Sequence, residues 1–421
     1  MSAALRSLVF TACAVAVLHG CATANARHTQ SSQPVRTAAR PRPAPVVRAQ
    51  ATAAAQPTPP AQPPSPFAAL PGWTEDALAE VLPAWRRTCE RLARAPSDRV
   101  VGRAAPFGTV AQWRATCESL PSEGADHATV RLYFERHFAP SLVTFEGSSN
   151  GLFTGYYEPE LRGSRRRHGR FTVPLYARPA DLVDLRRGVG RMVRGRPRPY
   201  WTRAQIAAGK LRRTRPIVWV DDAVDAFFLE IQGSGRVVLE DGTSIQLNYS
   251  ASNGHPYVAL GRVLIDRGAI ERSAVSLQSI RAWLIAHPRE AQAVMNHNPS
   301  YVFFRESNDQ GSHGAEGVVL TPGRSMAVDP TWIPLGVPLY LDLAPLEGVG
   351  PIRRLVVAQD TGGAIRGAIR GDLFWGPGAD AYDRAGRMRQ SGRYWMLVPR
   401  AITAANTAYP RSSSPEPVAA R

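Results

Sequence analysis

The sequence predicts a mainly β fold with helices at its N-terminal end. Amphipathic helical periodicity marks the first ordered stretch, which covers about 70 residues from Trp73 onward. After Thr144 the pattern changes to short runs of β-branched and aromatic residues that Gly, Pro and Asp interrupt. A helical pattern returns over residues 257–288, and the chain after Asn298 is again β-rich. A chain of 421 residues is long enough for two domains.

Local signals support the individual elements. The first helix is expected to start at Thr74, an N-cap residue followed by acidic residues, and to break or kink at Pro83. Asp241-Gly242 predicts a hairpin turn between two strands. The other predicted helices are GTVAQWRATCESL, DHATVRLYFERHF, YVALGRVLIDRG and SLQSIRAWLIAHP. The predicted strands include GLFTGYYEPEL, FTVPLYARP, PIVWVDD, AFFLEIQ, YVFFRES, GVVLTPGRSMAVD, VPLYLDL, RRLVVAQD and YWMLVPR.

The N-terminal residues predict export from the cytoplasm. Arg6 precedes the apolar run SLVFTACAVAVL, which has the length of a signal-peptide core and is too short to span a bilayer as a helix. The following LHGC resembles a bacterial lipoprotein cleavage site with Cys21 as the lipid acceptor, and ATANA offers a competing site that ends at Ala26. We therefore expect residues 1–26 to hold the export signal. Lipidated Cys21 is expected to anchor the protein to the outer membrane, in the periplasm.

The remaining cysteines predict a disulfide. Cys13 lies in the predicted signal, and lipidation of Cys21 would leave Cys89 and Cys117, each four residues after a tryptophan. Cysteines in an oxidising compartment tend to pair. Two buried free thiols are the alternative, and a metal site is not expected because no histidine cluster accompanies the pair.

Composition defines the chain ends and limits the partners. Residues 27–70 are rich in Pro and Ala and are predicted to form a disordered tether, and residues 401–421 are predicted to form a disordered tail. The net charge is +17, and Lys210 is the only lysine. This charge suits an acidic polymer, an anionic membrane or a nucleic acid, although the arginine content can also reflect genomic base composition. Nucleic acid is not expected, because no binding motif for it is present.

Several chemistries lack their motifs. No G-x-S-x-G elbow, Walker loop or H-E-x-x-H is present, and the GSG at Gly233 lacks the third glycine of a dinucleotide loop. Three aspartates near strand ends remain, Asp329, Asp360 and Asp372, of which the last two lie in a glycine-rich stretch. Aspartates at strand ends are often only turn formers, and this alternative applies to each of the three.

The motifs around these aspartates resemble those of a known family. AVDPTWIPLG, AQDTGGAIRG and RGDLFWG are similar to the three-aspartate domain of the membrane-bound lytic murein transglycosylase A family. FTGYYEPEL, FFLEIQGSGRV, NYSASNGHPYVALGRVLIDRG and NPSYVFF resemble the same family's other blocks, in the same order. The resemblance covers residues from about Cys89 to Pro399.

This resemblance implies a fold and an activity. The fold would be a double-psi β-barrel formed by residues 71–159 and 298–400, with a smaller β domain inserted at 160–297. The activity would be cleavage of the β-1,4 bond between N-acetylmuramic acid and N-acetylglucosamine, with formation of 1,6-anhydromuramic acid. No cofactor or metal is implied. The implied partners are the glycan strands of peptidoglycan, and other cell wall enzymes are further candidates.

The resemblance also aligns Asp372 with the family's catalytic aspartate. The LFW that follows it offers apolar walls, which would raise the pKa of a carboxylic acid. Asp360 precedes TGG, whose hydroxyl and amides would favour the ionised form, so Asp360 is expected to shape the loop. Asp329 is assigned to loop shaping or substrate binding. Arg366 and Arg370 are expected to face solvent or the peptide stems of the substrate.

Polar and aromatic residues beside these aspartates are candidate substrate contacts. Thr154 is expected to hydrogen-bond the substrate, and Tyr156 or Tyr157 to stack on a sugar, with packing in the core as the alternative for both tyrosines. Gln232 and Ser234 are further candidate glycan contacts. Two other functions stay open at this point: a hydrolytic muramidase on the same barrel, and an expansin-like wall-binding module without turnover.

Overall fold

The computed structural model describes residues 64–102, 107–186, 188–211, 213–308 and 311–403. The lipidation candidate Cys21, the competing site at Ala26 and most of the proposed tether lie outside the described residues. Short 3-10 helices cover Phe67–Ala69, Leu78–Val81 and Arg272–Ala274. The first elements in chain order are α1 Leu82–Arg94, α2 Val110–Cys117, α3 His127–His137, β1 Phe138–Leu142 and β2 Gly151–Glu158.

Two N-terminal boundaries differ from the prediction. The expected cap at Thr74 was wrong: the first α-helix begins at Leu82, and Pro83 lies in its first turn, where a missing N–H removes no helical hydrogen bond. The ordered chain also starts before residue 71, because Phe67 and Leu70 are buried and Phe67 packs on Trp73. The end of the proline-rich segment therefore contributes two buried apolar side chains to the core.

The middle of the chain forms an inserted unit. Its elements are β3 Glu160–Ser164, β4 Val173–Tyr176, β5 Val183–Asp184, β6 Val189–Val193, β7 Arg196–Arg198, α4 Arg203–Ala207, β8 Pro216–Val220, α5 Ala223–Gln232, β9 Ser234–Leu239, β10 Ser244–Ser252, α6 Leu260–Asp266, α7 Leu277–Ala286, α8 Pro288–Met295 and β11 Val302–Ser307. Six strands form one sheet in the order β11-β10-β9-β3-β8-β4. A bridge between Ala177 and Phe304 closes this sheet on itself.

Two predictions about the insert need correction. The run AFFLEIQ was predicted as a strand, but it forms α5, because Asp222 caps the backbone N–H groups of Val224 and Asp225 and Gly233 ends the helix in the left-handed region. The boundary at residue 297 is also too early, since strand β11 pairs with β10 of the insert. The hairpin predicted at Asp241-Gly242 is confirmed, as the connection between β9 and β10.

The last part of the chain completes a second barrel. Its elements are β12 Ser325–Val328, β13 Pro338–Leu346, β14 Gly350–Thr361, β15 Arg370–Pro377, α9 Ala379–Arg387 and β16 Arg389–Pro399. The sheet order is β1-β16-β13-β14-β12-β15-β2, and a further pairing of β16 with β2 closes six of the seven strands into a barrel. The pairs β12–β14 and β15–β2 are parallel. Ile402 is buried, so the core includes the first residues of the predicted tail.

The N-terminal helices cover this barrel. Trp85 of α1 and Trp113 of α2 are fully buried and belong to the same apolar core as the barrel strands. Cys89 and Cys117, one turn beyond each tryptophan, form a disulfide that joins the two helices. The fold is therefore mainly β, with N-terminal helices and two closed sheets.

Candidate active site

Asp372 lies within β15, between two neighbouring strands of the barrel. The register places it opposite Thr154 of β2 and Ala327 of β12. The Thr154 hydroxyl donates a hydrogen bond of 2.5 Å to Asp372 Oδ1, and Arg370 Nη2 donates one of 2.7 Å to the same hydroxyl. Arg370, Thr154 and Asp372 thus form one hydrogen-bonded chain across the two strands.

Apolar neighbours explain the protonation behaviour of Asp372. Phe374 lies two residues further along β15, on the same face of the strand, and packs in a small buried cluster with Tyr156 and Ala327. Burial raises the pKa of Asp372 to about 6, although the Thr154 hydrogen bond and the charge of Arg370 lower it. A carboxyl with this pKa is partly protonated at mildly acidic pH, and can donate a proton and then take one back.

Asp360 is held in a different way. It lies near the end of β14, where Oδ2 accepts a hydrogen bond from the Tyr156 hydroxyl at 2.9 Å. Oδ1 accepts two backbone N–H groups, from Thr361 and Ala315, each at 2.8 Å. Burial raises the pKa of Asp360, whereas the backbone hydrogen bonds of Thr361 and Ala315 and the hydroxyl of Tyr156 lower it, in the direction expected for groups that favour the ionised form. Both carboxylate oxygens thus accept hydrogen bonds from neighbouring segments of the chain.

Asp329 follows β12 and ties together two more loops. It accepts the backbone N–H of Thr331 at 3.0 Å and that of Gly367 at 2.9 Å. Burial acts to raise the pKa of Asp329, but these hydrogen bonds and the charge of Arg366 lower it. Asp329 thus joins the segment after β12 to the loop before β15.

Close packing requires two of the glycines around this site. A Cβ on Gly371 would lie 2.5 Å from the sulfur of Met326, and a Cβ on Gly155 would lie 2.6 Å from the indole nitrogen of Trp375. These glycines are next to Asp372 and Thr154 in sequence. Their missing side chains let β2, β12 and β15 approach closely, which sets the short distance between Thr154 and Asp372.

Asp360→Asn is expected to destabilise the fold more than it slows the chemistry. An asparagine offers one carbonyl oxygen to three donors, and a buried donor without a partner costs about 1–3 kcal/mol. We expect the free energy of unfolding to fall by this amount, while folded molecules keep most of their turnover. Urea denaturation, with the exposed Asp380→Asn as the matched control, checks this. An inactive Asp360→Asn of wild-type stability would pass the catalytic role to Asp360.

Known proteins share this arrangement of two barrels. The family model described as the MltA specific insert domain matches residues 152–305, and the one described as the 3D domain matches residues 324–398. Membrane-bound lytic murein transglycosylase A of Escherichia coli K12 is 34% identical over 272 residues, which is 62% of this chain and 70% of the relative. The chain belongs to the membrane-bound lytic murein transglycosylase A family.

Solved structures of this family agree with the fold. The crystal structure of membrane-bound lytic murein transglycosylase from Agrobacterium tumefaciens has a TM-score of 0.74 and 33% identity, covering 82% of this chain and 99% of that one. The structure of E. coli MltA with bound chitohexaose has a TM-score of 0.60 and 28% identity, covering 81% of this chain and 95% of that one. The similarity to these family members therefore extends over both the barrel and the insert.

The structure gives the other candidate contacts mainly internal partners. Tyr156 is buried, bound to Asp360 and packed on Phe374, so its ring is not available to stack on a sugar. Tyr157 is also buried and lies at the edge of a cavity of 410 Å³ whose lining includes neither Thr154 nor Asp372.

Of the two remaining candidates, one links the insert to the barrel and the other is buried within the insert. Gln232, at the end of α5, accepts the backbone N–H of Tyr157 at 3.0 Å and so ties the insert to β2. Ser234 is buried at the start of β9.

Two residues beside Asp372 were not among the candidates. Arg370 was expected to face solvent or the peptide stems, but it donates a hydrogen bond to Thr154. Its position two residues before Asp372 in a strand already indicates the same face. Tyr257 comes from the insert, in the loop between β10 and α6. Burial raises the pKa of Tyr257 to about 12; Arg203 opposes this shift, and the negative charge of Asp372 adds to it. The charge of Asp372 thus acts on Tyr257 of the insert, whose side chain is 36% exposed.

Proposed function

We propose that this chain is a lytic murein transglycosylase that cleaves the β-1,4 bond between N-acetylmuramic acid and N-acetylglucosamine and forms 1,6-anhydromuramic acid. The observation that carries the proposal is the carboxyl of Asp372, which accepts a hydrogen bond from Thr154 and has a pKa of about 6. Asp360, whose negative charge also raises the pKa of Asp372, accepts hydrogen bonds from three donors. A hydrolase would need a second free carboxylate to activate water or attack the sugar.

Asp372 serves both steps of this reaction. Its carboxyl proton moves to the glycosidic oxygen as the bond from that oxygen to C1 of muramic acid breaks. The resulting carboxylate then takes the proton of the C6 hydroxyl, and O6 bonds to C1 of the same sugar. Asp372 ends protonated, and no water is consumed. The nucleophile is tethered to the reacting carbon, so its high effective concentration replaces a water-activating base.

Thr154 and Arg370 support the ionised stage. Between the two proton transfers, Asp372 carries a negative charge in a buried setting, which is unfavourable without a partner. The Thr154 hydroxyl donates directly to that charge, and Arg370 donates to the hydroxyl. Both groups lower the pKa of Asp372 from the value that burial alone would give.

The rate is expected to fall as the pH rises through about 6. The first step needs protonated Asp372, whose pKa is about 6, so the reactive fraction drops about tenfold for each pH unit above that value. Thr154→Val removes a hydrogen bond to the ionised form, which raises the pKa and should move the falling limb to higher pH. The profile of kcat/KM against pH measures both. A limb that stays in place in Thr154→Val contradicts the link between these residues.

Product analysis tests the proposed activity against the two alternatives. Purified murein sacculi are digested with the protein, and the released muropeptides are examined by mass spectrometry. A transglycosylase gives muropeptides with anhydro ends, and a muramidase gives reducing ends that are heavier by one water. A wall-binding module releases nothing, so the second or third result would overturn the proposal.

We also propose that residues 1–26 direct export and that Cys21 carries a lipid anchor in the outer membrane. Support comes from the LHGC sequence and from the family name, which includes the words membrane-bound. Within the described residues, no helix has the length and apolar character to cross a bilayer. Attachment through a lipid is one way for such a chain to associate with a membrane.

Wild-type protein is expected to incorporate a palmitate analogue and to fractionate with the outer membrane. Cys21→Ala should lose the label and become soluble, because the thiol is the acceptor, and Cys13→Ala is the matched control that keeps the label. Metabolic labelling and membrane fractionation provide the readout. If wild type and Cys21→Ala are equally unlabelled and soluble, the anchor does not exist and Ala26 becomes the candidate end of the signal.

A further inference from the structure

One segment of the insert is strongly basic. Between Asp184 and Asp221 the chain has no Asp or Glu, but it has eleven Arg and Lys residues. The net charge of all 421 residues is +17, so this segment supplies a large part of the excess positive charge. These cations are Arg186, Arg187, Arg191, Arg194, Arg196, Arg198, Arg203, Lys210, Arg212, Arg213 and Arg215. A charge of one sign over this length favours an anionic partner.

The hairpin of β6 and β7, residues 189–198, presents part of this charge to solvent. Arg194, Arg196 and Arg198 are exposed, and the Arg191 guanidinium lies over Trp201 at 3.7 Å from the ring centre. Within the described residues, these four arginines make no ion pair. Elsewhere in the insert, Arg165 pairs with an acidic side chain at 2.5 Å. Across the described part of the chain, no acidic side chain therefore neutralises the positive charge of the hairpin.

Contacts at the base of the hairpin join it to a neighbouring loop of the insert. Gly254 packs against Val189 so closely that a Cβ there would lie 2.7 Å from the valine side chain. His255 Nε2 lies 2.9 Å from the carbonyl oxygen of Tyr200, just after the hairpin. Gly254 and His255 belong to the loop between β10 and α6, so the basic hairpin packs against that loop.

We propose that the hairpin of residues 189–198 binds the carboxylates of the murein peptide stems, an inference that rests on the proposed function. The stems project from the muramic acid units and carry free carboxylates, whereas the glucosamine units between them are uncharged. Guanidinium groups pair with carboxylates through charge-assisted hydrogen bonds. The hairpin would hold a stem of the bound murein strand and so favour stem-bearing strands over bare glycan.

Binding to two forms of murein tests this proposal. The parent is Asp372→Asn, which keeps the substrate intact, and the hairpin variant adds Arg194→Gln, Arg196→Gln and Arg198→Gln. Binding at low salt is measured by co-sedimentation with intact sacculi, and by fluorescence anisotropy with the soluble glycan strands that remain after an amidase has removed the stems. An exposed ion pair contributes a factor of about two, so we expect the hairpin variant to bind stem-bearing sacculi about eightfold more weakly. Binding to stem-free glycan should not change.

A matched control and a lipid arm complete the test. Arg94→Gln, Arg99→Gln and Arg136→Gln remove three exposed charges from the helical N-terminal segment, which should leave binding unchanged. Equal binding by the hairpin variant and its parent overturns the proposal, as does an equal loss on stem-free glycan or in the control. Loss of binding only to phosphatidylglycerol vesicles also overturns it, in favour of a lipid surface. Anhydro products of the wild type are scored separately, so failure of the enzymatic activity is recognised independently.

Discussion

Asp372→Asn is expected to lower the release of anhydro-muropeptides by about 10²–10⁴-fold, the usual contribution of a positioned acid or base. An asparagine keeps the shape of the side chain and can still accept the hydrogen bond from Thr154, but it has no acidic proton. The loss should appear in kcat more than in KM, because the proton is transferred only in the transition state. Steady-state rates on soluble glycan strands measure this effect.

A measurement of stability distinguishes this loss of activity from misfolding. Burial raises the pKa of Asp372, so a neutral side chain at this position costs the folded state nothing at neutral pH. The melting temperature of Asp372→Asn should therefore equal or exceed that of the wild type. Asp380→Asn makes the same chemical change at an exposed position of α9 and should leave the rate unchanged. Near-normal release by Asp372→Asn would end its assignment as the acid.

Removing the disulfide is expected to cost about 3–4 kcal/mol of unfolding free energy. Cys89 and Cys117 are 28 residues apart, and in the chain-entropy model a loop of this length gives a stabilisation of that size. The bond joins α1 to α2, which cover the barrel through Trp85 and Trp113. The double variant Cys89→Ser/Cys117→Ser should unfold at lower urea concentration.

Reduction provides the matched control for this prediction. A reducing agent should destabilise the wild type by the same amount and should leave the double variant unaffected, because the variant has no bond to break. Identical unfolding curves for the wild type with and without reductant would show that the bond contributes nothing. Peptide mapping that finds both thiols free under oxidising conditions would rule out the pair itself.

Some of the fold follows from local sequence signals, and some of it depends on distant contacts. The hairpin at Asp241-Gly242 needed only its turn residues. The run AFFLEIQ has no clear helical or strand period, so its caps at Asp222 and Gly233 decide its structure. Closure of the barrel through β16 and β2 joins residues more than 200 positions apart, which no local pattern encodes.

The candidate site shows the same division. The pairing of Asp372 with an apolar neighbour two residues later could be seen in the sequence, and so could the position of Arg370 on the same face of the strand. The effect of Asp372 on Tyr257 could not be seen in the sequence, because it depends on where tertiary packing places a loop of the insert. The hydrogen bond from Tyr156 to Asp360 could not be seen either, since it joins strands that are 204 positions apart in the sequence.

We propose that one carboxyl, Asp372, acts on a substrate that supplies its own nucleophile. Digestion of murein sacculi in water enriched in oxygen-18, followed by mass spectrometry of the new muramic acid ends, tests it most directly. If O6 of the same sugar attacks C1, the new ends are anhydro and contain no oxygen-18. Reducing ends labelled with oxygen-18 would show that water attacks C1, and would contradict the account.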